Sequence, residues 1–490
     1  MSIDTVAARA TRLLQGDLGM LGAGVALGLL LGLLGSLGRG WAAPVVVVAV
    51  VAVSAYYMRA LGLAAGVVVA LIVTNALDHF TFPVGGLDMR AEQVAAAVGL
   101  VVLTWQASRA RAVFSLLRPS TAEWLLAAWL GVGLVSSIAA SPSRLLSLKV
   151  LALTAICTVG FLLPRRLLSG SHAREDLERV LRWLLIIFAT ESAYGTFAYL
   201  LHVFGPTISI GPNPATGHLG AYGTLWEQNV FGTFAAAGGV AWVYLGPERF
   251  KRAWVGLALC VGGLVDSLTR AAWLAAAIAG MVGIGVPGLR RRLNMPMVGT
   301  GLLGGMLLAV AALVVDAFGA YTVAVVGAPP SQQHSFLFAI FNMTDFIGRL
   351  NQTGPVWSEI HGQYLLLGRG TASYEALHVV NGVPEHIASL PLLVLNDTGL
   401  IGITLFSAFL AAVVARAWSR RHDKPTVALG QIVLVMFIGN LATQTTELMV
   451  TWLLAGLLVA ATDIASNPEK VQPRGGQPST PELGIPLVNR

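Results

Sequence analysis

The stretch Ala122-Glu-Trp-Leu-Leu-Ala-Ala-Trp-Leu-Gly-Val-Gly-Leu-Val-Ser-Ser-Ile-Ala-Ala140 is followed, after Ser141-Pro-Ser-Arg144, by Leu145-Leu-Ser-Leu-Lys-Val-Leu-Ala-Leu-Thr-Ala-Ile-Cys-Thr-Val-Gly-Phe-Leu-Leu163. This pair of runs decides the fold class. Each approaches the ~20 residues that a helix needs to cross a hydrocarbon core. Neither run alternates apolar and polar residues as a half-buried strand would. Neither carries the polar face of a helix on a soluble protein. The short break between them suits a tight turn joining two antiparallel spans.

Comparable runs recur on both sides. They cover 20–38, 42–58, 61–77, 93–107, 122–140, 145–163, 183–204, 226–246, 253–267, 271–289, 298–316, 390–415, 426–442 and 447–463. The expected architecture is an all-α, polytopic integral membrane protein with about 14 (12–14) transmembrane helices. The least distinct pair is 253–267 and 271–289, an apolar stretch interrupted only by Asp266-Ser267-Leu268-Thr269-Arg270. No cleavable signal precedes the first run, which is read as a retained span. Residues 1–463 read as a single transmembrane domain, and 464–490, rich in Pro and Gly, as a disordered cytoplasmic tail.

Composition excludes a soluble globular fold. Only 11% of the 490 residues are charged and 56% are hydrophobic, against about 25% charged in soluble domains. Mean hydropathy is +0.73. The 55 glycines suit close approach between membrane helices. Cys157 and Cys260 lie inside apolar runs and read as core residues, not as a metal site or a disulfide framework.

The net charge of +7 raises the question of nucleic acid, and the placement of the charges answers it. With the N-terminus inside, all but seven of the 31 Lys and Arg fall on the cytoplasmic side, as the positive-inside rule requires. The exceptions are Arg39, Arg90, Arg144, Lys149, Arg270, Arg349 and Arg369. The basic balance is a topology signal. Both termini are then cytoplasmic, and the segments 205–225 and 317–389 face the extracytoplasmic side, the second with short helices lying against the membrane.

Ionisable residues at membrane depth are costly and are functional candidates for that reason. Glu191, Glu227, Asp266, Arg270 and Glu447 qualify, and all five fall near the outer ends of their spans. Three stretches share that side. They are Tyr222-Gly-Thr-Leu-Trp-Glu-Gln-Asn-Val-Phe-Gly232, Ser267-Leu-Thr-Arg-Ala-Ala-Trp-Leu274, and a longer one. The third runs from Gly348-Arg-Leu350 through Trp357 and Gly368-Arg-Gly370 to Glu385-His386 and Asn396-Asp-Thr-Gly-Leu-Ile-Gly402.

In order, spacing and sidedness these stretches resemble the bacterial O-antigen ligase and polysaccharide polymerase superfamily of membrane glycosyltransferases. The likeness covers Tyr222 to Gly402. The sequence departs from the family pattern at Thr269, where a Ser precedes the Arg in the family, and at Ile387, where an Asn often follows the loop His. The resemblance implies transfer of a glycan from an undecaprenyl-diphosphate carrier to an acceptor hydroxyl on the outer face of the bacterial inner membrane. The partners implied are the lipid-linked glycan donor, a glycan or lipid-glycan acceptor and membrane lipid, with no nucleic acid.

Many glycosyltransferases hold the diphosphate through a metal on an Asp-x-Asp pair. This sequence contains no Asp-x-Asp, Glu-x-Asp or Asp-Asp, so no metal or other cofactor is expected. A guanidinium serves the same end, because it binds phosphate oxygens bidentately and stays charged. By resemblance, Arg270 and Arg349 are the diphosphate ligands. His386 accepts the proton of the attacking hydroxyl or orients it, and a one-step attack inverts the anomeric carbon. Glu227, Gln228, Asn229 and Tyr222 are weaker candidates for the acceptor or sugar subsite. Arg369 reads as structural or solvated, and Gly399 and Gly402 as permitting close helix packing.

Alternatives stay open at this point. Arg270 also suits a residue reaching the lipid headgroups, and His386 is one of several outer histidines with His79, His218, His334, His361 and His378. A secondary transporter or glycolipid flippase would place its polar residues at mid-membrane on repeated halves. No repeat is visible. A transferase using polyprenyl-phosphate sugars would carry paired carboxylates in an early outer loop, where this chain has only the separated Asp78, Asp88 and Glu92. Polymerase and ligase reactions use the same donor, and the lean to polymerase rests only on the lack of any feature that reads an unrelated acceptor.

Overall fold

A chain this apolar has to satisfy its backbone N–H and C=O groups internally, and the helix is the simplest way to do so. The computed structural model of the protein describes residues 39–77, 81–84, 87–109, 119–201, 210–212, 219–225, 227–326, 353–362, 364–380, 383–441 and 448–466. The expected first span, 20–38, lies outside them, as do residues 467–490 of the tail.

Among the described residues, the other apolar runs named above fall largely on helices. The helices are α1 (Arg39–Leu61), α2 (Leu63–Asn75), α3 (Ala91–Arg109), α4 (Thr121–Ala139), α5 (Arg144–Leu167), α6 (Ala173–Leu201), α7 (Gln228–Arg249), α8 (Ala253–Asp266), α9 (Arg270–Gly285), the single turn α10 (Pro287–Arg290) and α11 (Met295–Val326). Three short helices follow, α12 (Thr353–Glu359), α13 (Tyr364–Leu367) and α14 (Ser373–Leu377). Then come α15 (Leu390–Ser419), α16 (Lys424–Asn440) and α17 (Met449–Ser466). Seven of these, α4, α5, α6, α7, α11, α15 and α17, are long and apolar enough to cross a membrane.

Three differences from the sequence expectation have physical causes. Helix α11 continues to Val326 instead of ending before 317, because residues 317–326 contain no proline and the single Gly319 is tolerated inside a helix. The last helix runs to Ser466, so 464–466 belong to it and not to the tail. Short antiparallel hairpins also join the helices at 81–84 with 87–90, at 210–212 with 219–221 and at 379–380 with 383–384. Their strands are too brief to leave a periodic signal.

The ambiguous stretch 253–289 resolves into two helices. Helix α8 ends at Asp266, Leu268 takes a left-handed φ of 54°, and α9 starts at Arg270. Trp273 crosses the break and donates its indole N–H to Leu264 O at 2.9 Å.

Helices α7 and α17 are the most enclosed of the long helices, and α11 is the most exposed. An aromatic cluster fastens α4, α5, α15 and α17 together. Trp129 lies 5.1 Å from Phe406, Phe161 lies 5.2 Å from Phe409, and Trp452 is within 6.3 Å of all of Trp129, Phe406 and Phe409.

The two ends of the bundle differ in chemistry. At the end bearing the basic clusters, Ser120 and Glu123 form a reciprocal capping box at the start of α4. The same Glu123 carboxylate receives Arg165 at 2.5 Å and Arg166 at 2.9 Å from the last turn of α5. Arg165 also reaches Asp463 of α17 at 3.0 Å, and Asp463 takes Arg416 of α15. Four helix ends are thus locked around two carboxylates, that of Glu123, 5% exposed, and that of Asp463.

At the far end, α15 is broken. Gly399 has φ 63° and ψ −164°, so the carbonyls of Asn396 and Asp397 are turned away from their helical partners. The segment 368–371 fills the gap. Arg369 N–H donates to Asn396 O at 2.8 Å and Gly370 N–H to Asp397 O at 3.1 Å. Ser136 Oγ, from the end of α4, donates to the same Asp397 O at 2.8 Å. Thr371 N–H returns to Ser137 Oγ at 3.2 Å. The approach requires bare backbone: a Cβ on Gly399 would stand 2.4 Å from Leu366 C, and one on Gly368 2.4 Å from Asp397 C.

Two outcomes are expected. Glu123→Ala strands two arginines in a partly buried site and should cost about 3 kcal/mol, read as a lowered Tm of the detergent-solubilised protein, with Glu123→Gln intermediate. Gly399→Ala adds both a steric clash and a strained φ, so limited proteolysis should cut the 353–389 segment much faster than in the wild type. Gly430→Ala, where nothing lies within 4 Å of the added methyl, should leave the cleavage rate unchanged.

Candidate functional site

The residues singled out from sequence fall at the far end of the bundle in two groups. The first lies where α6 ends, α7 begins, α8 ends and α9 begins. Here Glu191 of α6 binds the turn before α7, accepting from Thr224 N–H at 2.6 Å and from Thr224 Oγ at 2.7 Å. The Thr224 hydroxyl also contacts Ala76 O after α2. Gly223, at φ 61°, lets the turn approach the carboxylate.

Tyr222 is half-buried at the head of this turn. Burial, with Tyr194 nearby, holds its phenol above the ordinary range. Glu227 is exposed and serves as the N-cap residue of α7; its Oε1 accepts from Asn229 Nδ2 at 3.3 Å. Gln228 is buried and donates to Gly220 O at 3.3 Å in the hairpin of Ile210–Pro212 with Leu219–Ala221.

The stretches 222–232 and 267–274 meet directly. Thr269 Oγ donates to Gln228 O at 2.9 Å, and Ser267 Oγ accepts Thr269 N–H at 3.2 Å. Arg270 is half-buried at the first position of α9. Asp266, at the end of α8, is fully buried. Thr269 therefore does the bonding that joins the two stretches.

The second group is built on α12, α13, α14 and the broken helix α15. Its small core is Val356, Ile360, Tyr374, Ile387, Leu393 and Leu395. Ile387 is fully buried there. Its neighbour His386 is left with 66% of its side chain exposed, and Nδ1 lies 3.3 Å from Glu375 Oε1.

Glu375 itself is 8% exposed and borders a cavity with Thr371, Asp397, Thr398, Trp129 and Thr154. Asn396 donates to Ser373 Oγ at 3.0 Å and to Asp397 Oδ1 at 3.1 Å, so the broken helix is also held by its side chains.

A denser network stands beside it. Glu359 accepts from Arg369 Nη1 at 2.7 Å, and its other oxygen lies 2.5 Å from His378 Nε2. His378 stacks on Tyr374 with centroids 4.1 Å apart, and the Arg369 guanidinium sits 5.2 Å over the Tyr364 ring. Tyr374 OH donates to Glu385 at 3.5 Å. Burial, together with the carboxylates of Glu385, Glu359 and Glu375, holds that phenol above its usual range, so it stays a donor.

The structure thus brings Tyr222, Glu227, Gln228, Asn229 and Arg270 into one group. The described contact of His386 belongs to the other. Arg349 lies outside the described residues, and so does Glu447. Sequence reading missed Glu375, Glu359 and the partnership of His378 with Glu359, because loop residues paired across ten or more positions follow no helical or strand period. It also gave no role to Ser136 and Ser137, which read as ordinary span residues. No family model matches the chain, and no match was found among curated proteins.

Proposed function

We propose that the protein is a metal-independent, inverting glycosyltransferase. It moves a glycan from an undecaprenyl-diphosphate-type carrier to an acceptor hydroxyl at the extracytoplasmic face of the bacterial inner membrane, as a polysaccharide polymerase or an O-antigen-ligase-like enzyme. The apolar runs beyond the seven long helices complete a bundle of about 14 spans. Its basic end faces the cytoplasm.

The observation that carries the reading is the pairwise joining of the motif stretches at the far end. Stretch 222–232 is hydrogen-bonded to 267–274 through Thr269 and Gln228. Stretch 368–370 is hydrogen-bonded to 396–402 through its backbone. Segments distant in sequence that were singled out for their chemistry are the same segments that hydrogen-bond one another, through a hydroxyl in the first pair and through backbone in the second. Packing of span against span alone would favour apolar pairs, not these.

In this reading Arg270 and Arg349 neutralise the diphosphate as its bond to the anomeric carbon breaks. Fixed cationic donors aimed at developing charge supply a large share of catalysis in a low-dielectric site. His386 takes the proton of the attacking hydroxyl. The acceptor oxygen forms the new bond on the face opposite the leaving group, and the lipid diphosphate departs. Tyr222, Glu227, Gln228 and Asn229 border the sugar or acceptor.

The test is reconstitution in liposomes with a lipid-diphosphate-linked oligosaccharide and excess chelator. Release of lipid diphosphate is expected without divalent metal. Arg270→Ala and Arg349→Ala should each lower the rate about 10²-fold or more, and His386→Ala by a similar factor. Activity abolished by chelator, or undiminished in all three variants, overturns the proposal. A product ladder in mass spectrometry identifies a polymerase, and a single transfer identifies a ligase.

A further inference from the structure

We infer that Glu375 is the positioning residue of His386, a buried carboxylate that fixes the tautomer and direction of an exposed imidazole; this rests on the proposed transferase reading. The geometry is asymmetric. The Glu375 side chain is 9% exposed and that of His386 66%, with Oε1 and Nδ1 3.3 Å apart. A carboxylate oxygen accepting at Nδ1 favours the tautomer of the neutral imidazole that carries its proton there and its lone pair on Nε2. That is the arrangement a general base needs.

A purely stabilising role fits poorly. An ion pair with one partner largely in solvent contributes little to folding, whereas burying a carboxylate is costly. The second oxygen, Glu375 Oε2, is buried with no hydrogen-bond partner among the described residues. It borders the cavity with Thr371 and Asp397.

Two rigid elements fix the pair. Glu375 sits on α14, which follows directly on the Gly368–Thr371 clasp. His386 precedes Ile387, whose fully buried side chain anchors that strand of chain. The 3.3 Å separation is the loose geometry common in unliganded sites, where such bonds tighten on substrate binding.

The other charged groups of this subdomain are otherwise engaged. Glu385 accepts from Tyr374, while Glu359 is shared by Arg369 and His378. Asp397 borders the same cavity as Glu375. In the reaction the acceptor hydroxyl gives its proton to His386 Nε2 as its oxygen bonds the anomeric carbon and the diphosphate oxygen leaves. The imidazolium formed is held through Nδ1–H by Glu375, and the proton passes to water after product release.

The test uses the full chain in nanodiscs, with ¹⁵N,¹³C-histidine labelling and the His386 signal identified by its loss in His386→Gln. Wild type should show the Nδ1–H tautomer, and Glu375→Ala should lose it. In the transfer assay Glu375→Gln should lower kcat roughly tenfold or more with KM held, and Glu375→Asp should recover part of the loss. Should Glu375→Ala fail to fold, the isosteric Gln variant carries the kinetic arm alone. An unchanged tautomer together with an unchanged kcat overturns the inference. The arms also separate the two proposals. A tautomer change in a protein with no transferase activity sinks the transferase reading and leaves the pair standing, while active enzyme indifferent to Glu375 does the reverse.

Discussion

Two carbonyl oxygens, those of Asn396 and Asp397, are turned out of helical register where α15 breaks at Gly399. In a hydrocarbon environment each would cost several kcal/mol if left bare. They are satisfied by Arg369 N–H, Gly370 N–H and Ser136 Oγ. That constraint organises the far end of the molecule. The break is tolerable only while segment 368–371 is docked, and the segment docks only because the break offers it acceptors. Each half explains the other, and α4 is drawn in as the third party. Everything carried on 353–389, including His386, Glu375 and the Glu359 network, takes its position from this contact.

The two ends of the bundle solve the burial of polarity differently. At the basic end, charges are paired side chain to side chain around Glu123 and Asp463. Such pairs are demanding in geometry and rigid once made, which suits a part of the molecule that only has to stay closed. At the far end the bonding runs mainly from backbone to backbone or from hydroxyl to backbone, at Thr224, Thr269, Ser136 and Gly370. The charge pairs of that end, Glu359 with Arg369 and His378 and Glu375 with His386, lie within the 353–389 segment.

Much of the helical framework was legible in the sequence because lipid enforces a minimum run of apolar residues, and such runs cannot be mistaken for strands or loops. The Asp266–Arg270 break was legible for the same reason in reverse, since four polar residues in five interrupt a run that apolarity alone would continue. The clasp was half legible. Gly368-Arg-Gly370 and Asn396 to Gly402 both stood out, but that they bind one another is a matter of backbone geometry which no spacing rule encodes. Gly399 read as a packing glycine, whereas its positive φ makes it a hinge in the chain path. The pairing of Glu375 with His386 was invisible, because both lie in non-periodic segments and Glu375 is separated from its partner by a hairpin.

The histidines of the 353–389 segment differ in how firmly they are held. His378 was one histidine among several, yet it is the most firmly held of those described, stacked on Tyr374 and bonded to Glu359. That firmness argues for a scaffold. A proton acceptor has to meet a substrate that arrives from outside, and His378 has one ring nitrogen committed to Glu359 and one face covered by Tyr374. His386 has the opposite balance, with its backbone fixed by Ile387, one ring nitrogen on a buried carboxylate and most of its surface open. Of these two histidines, the exposed one has the geometry of a reacting group. The enclosed one has that of the wall behind it.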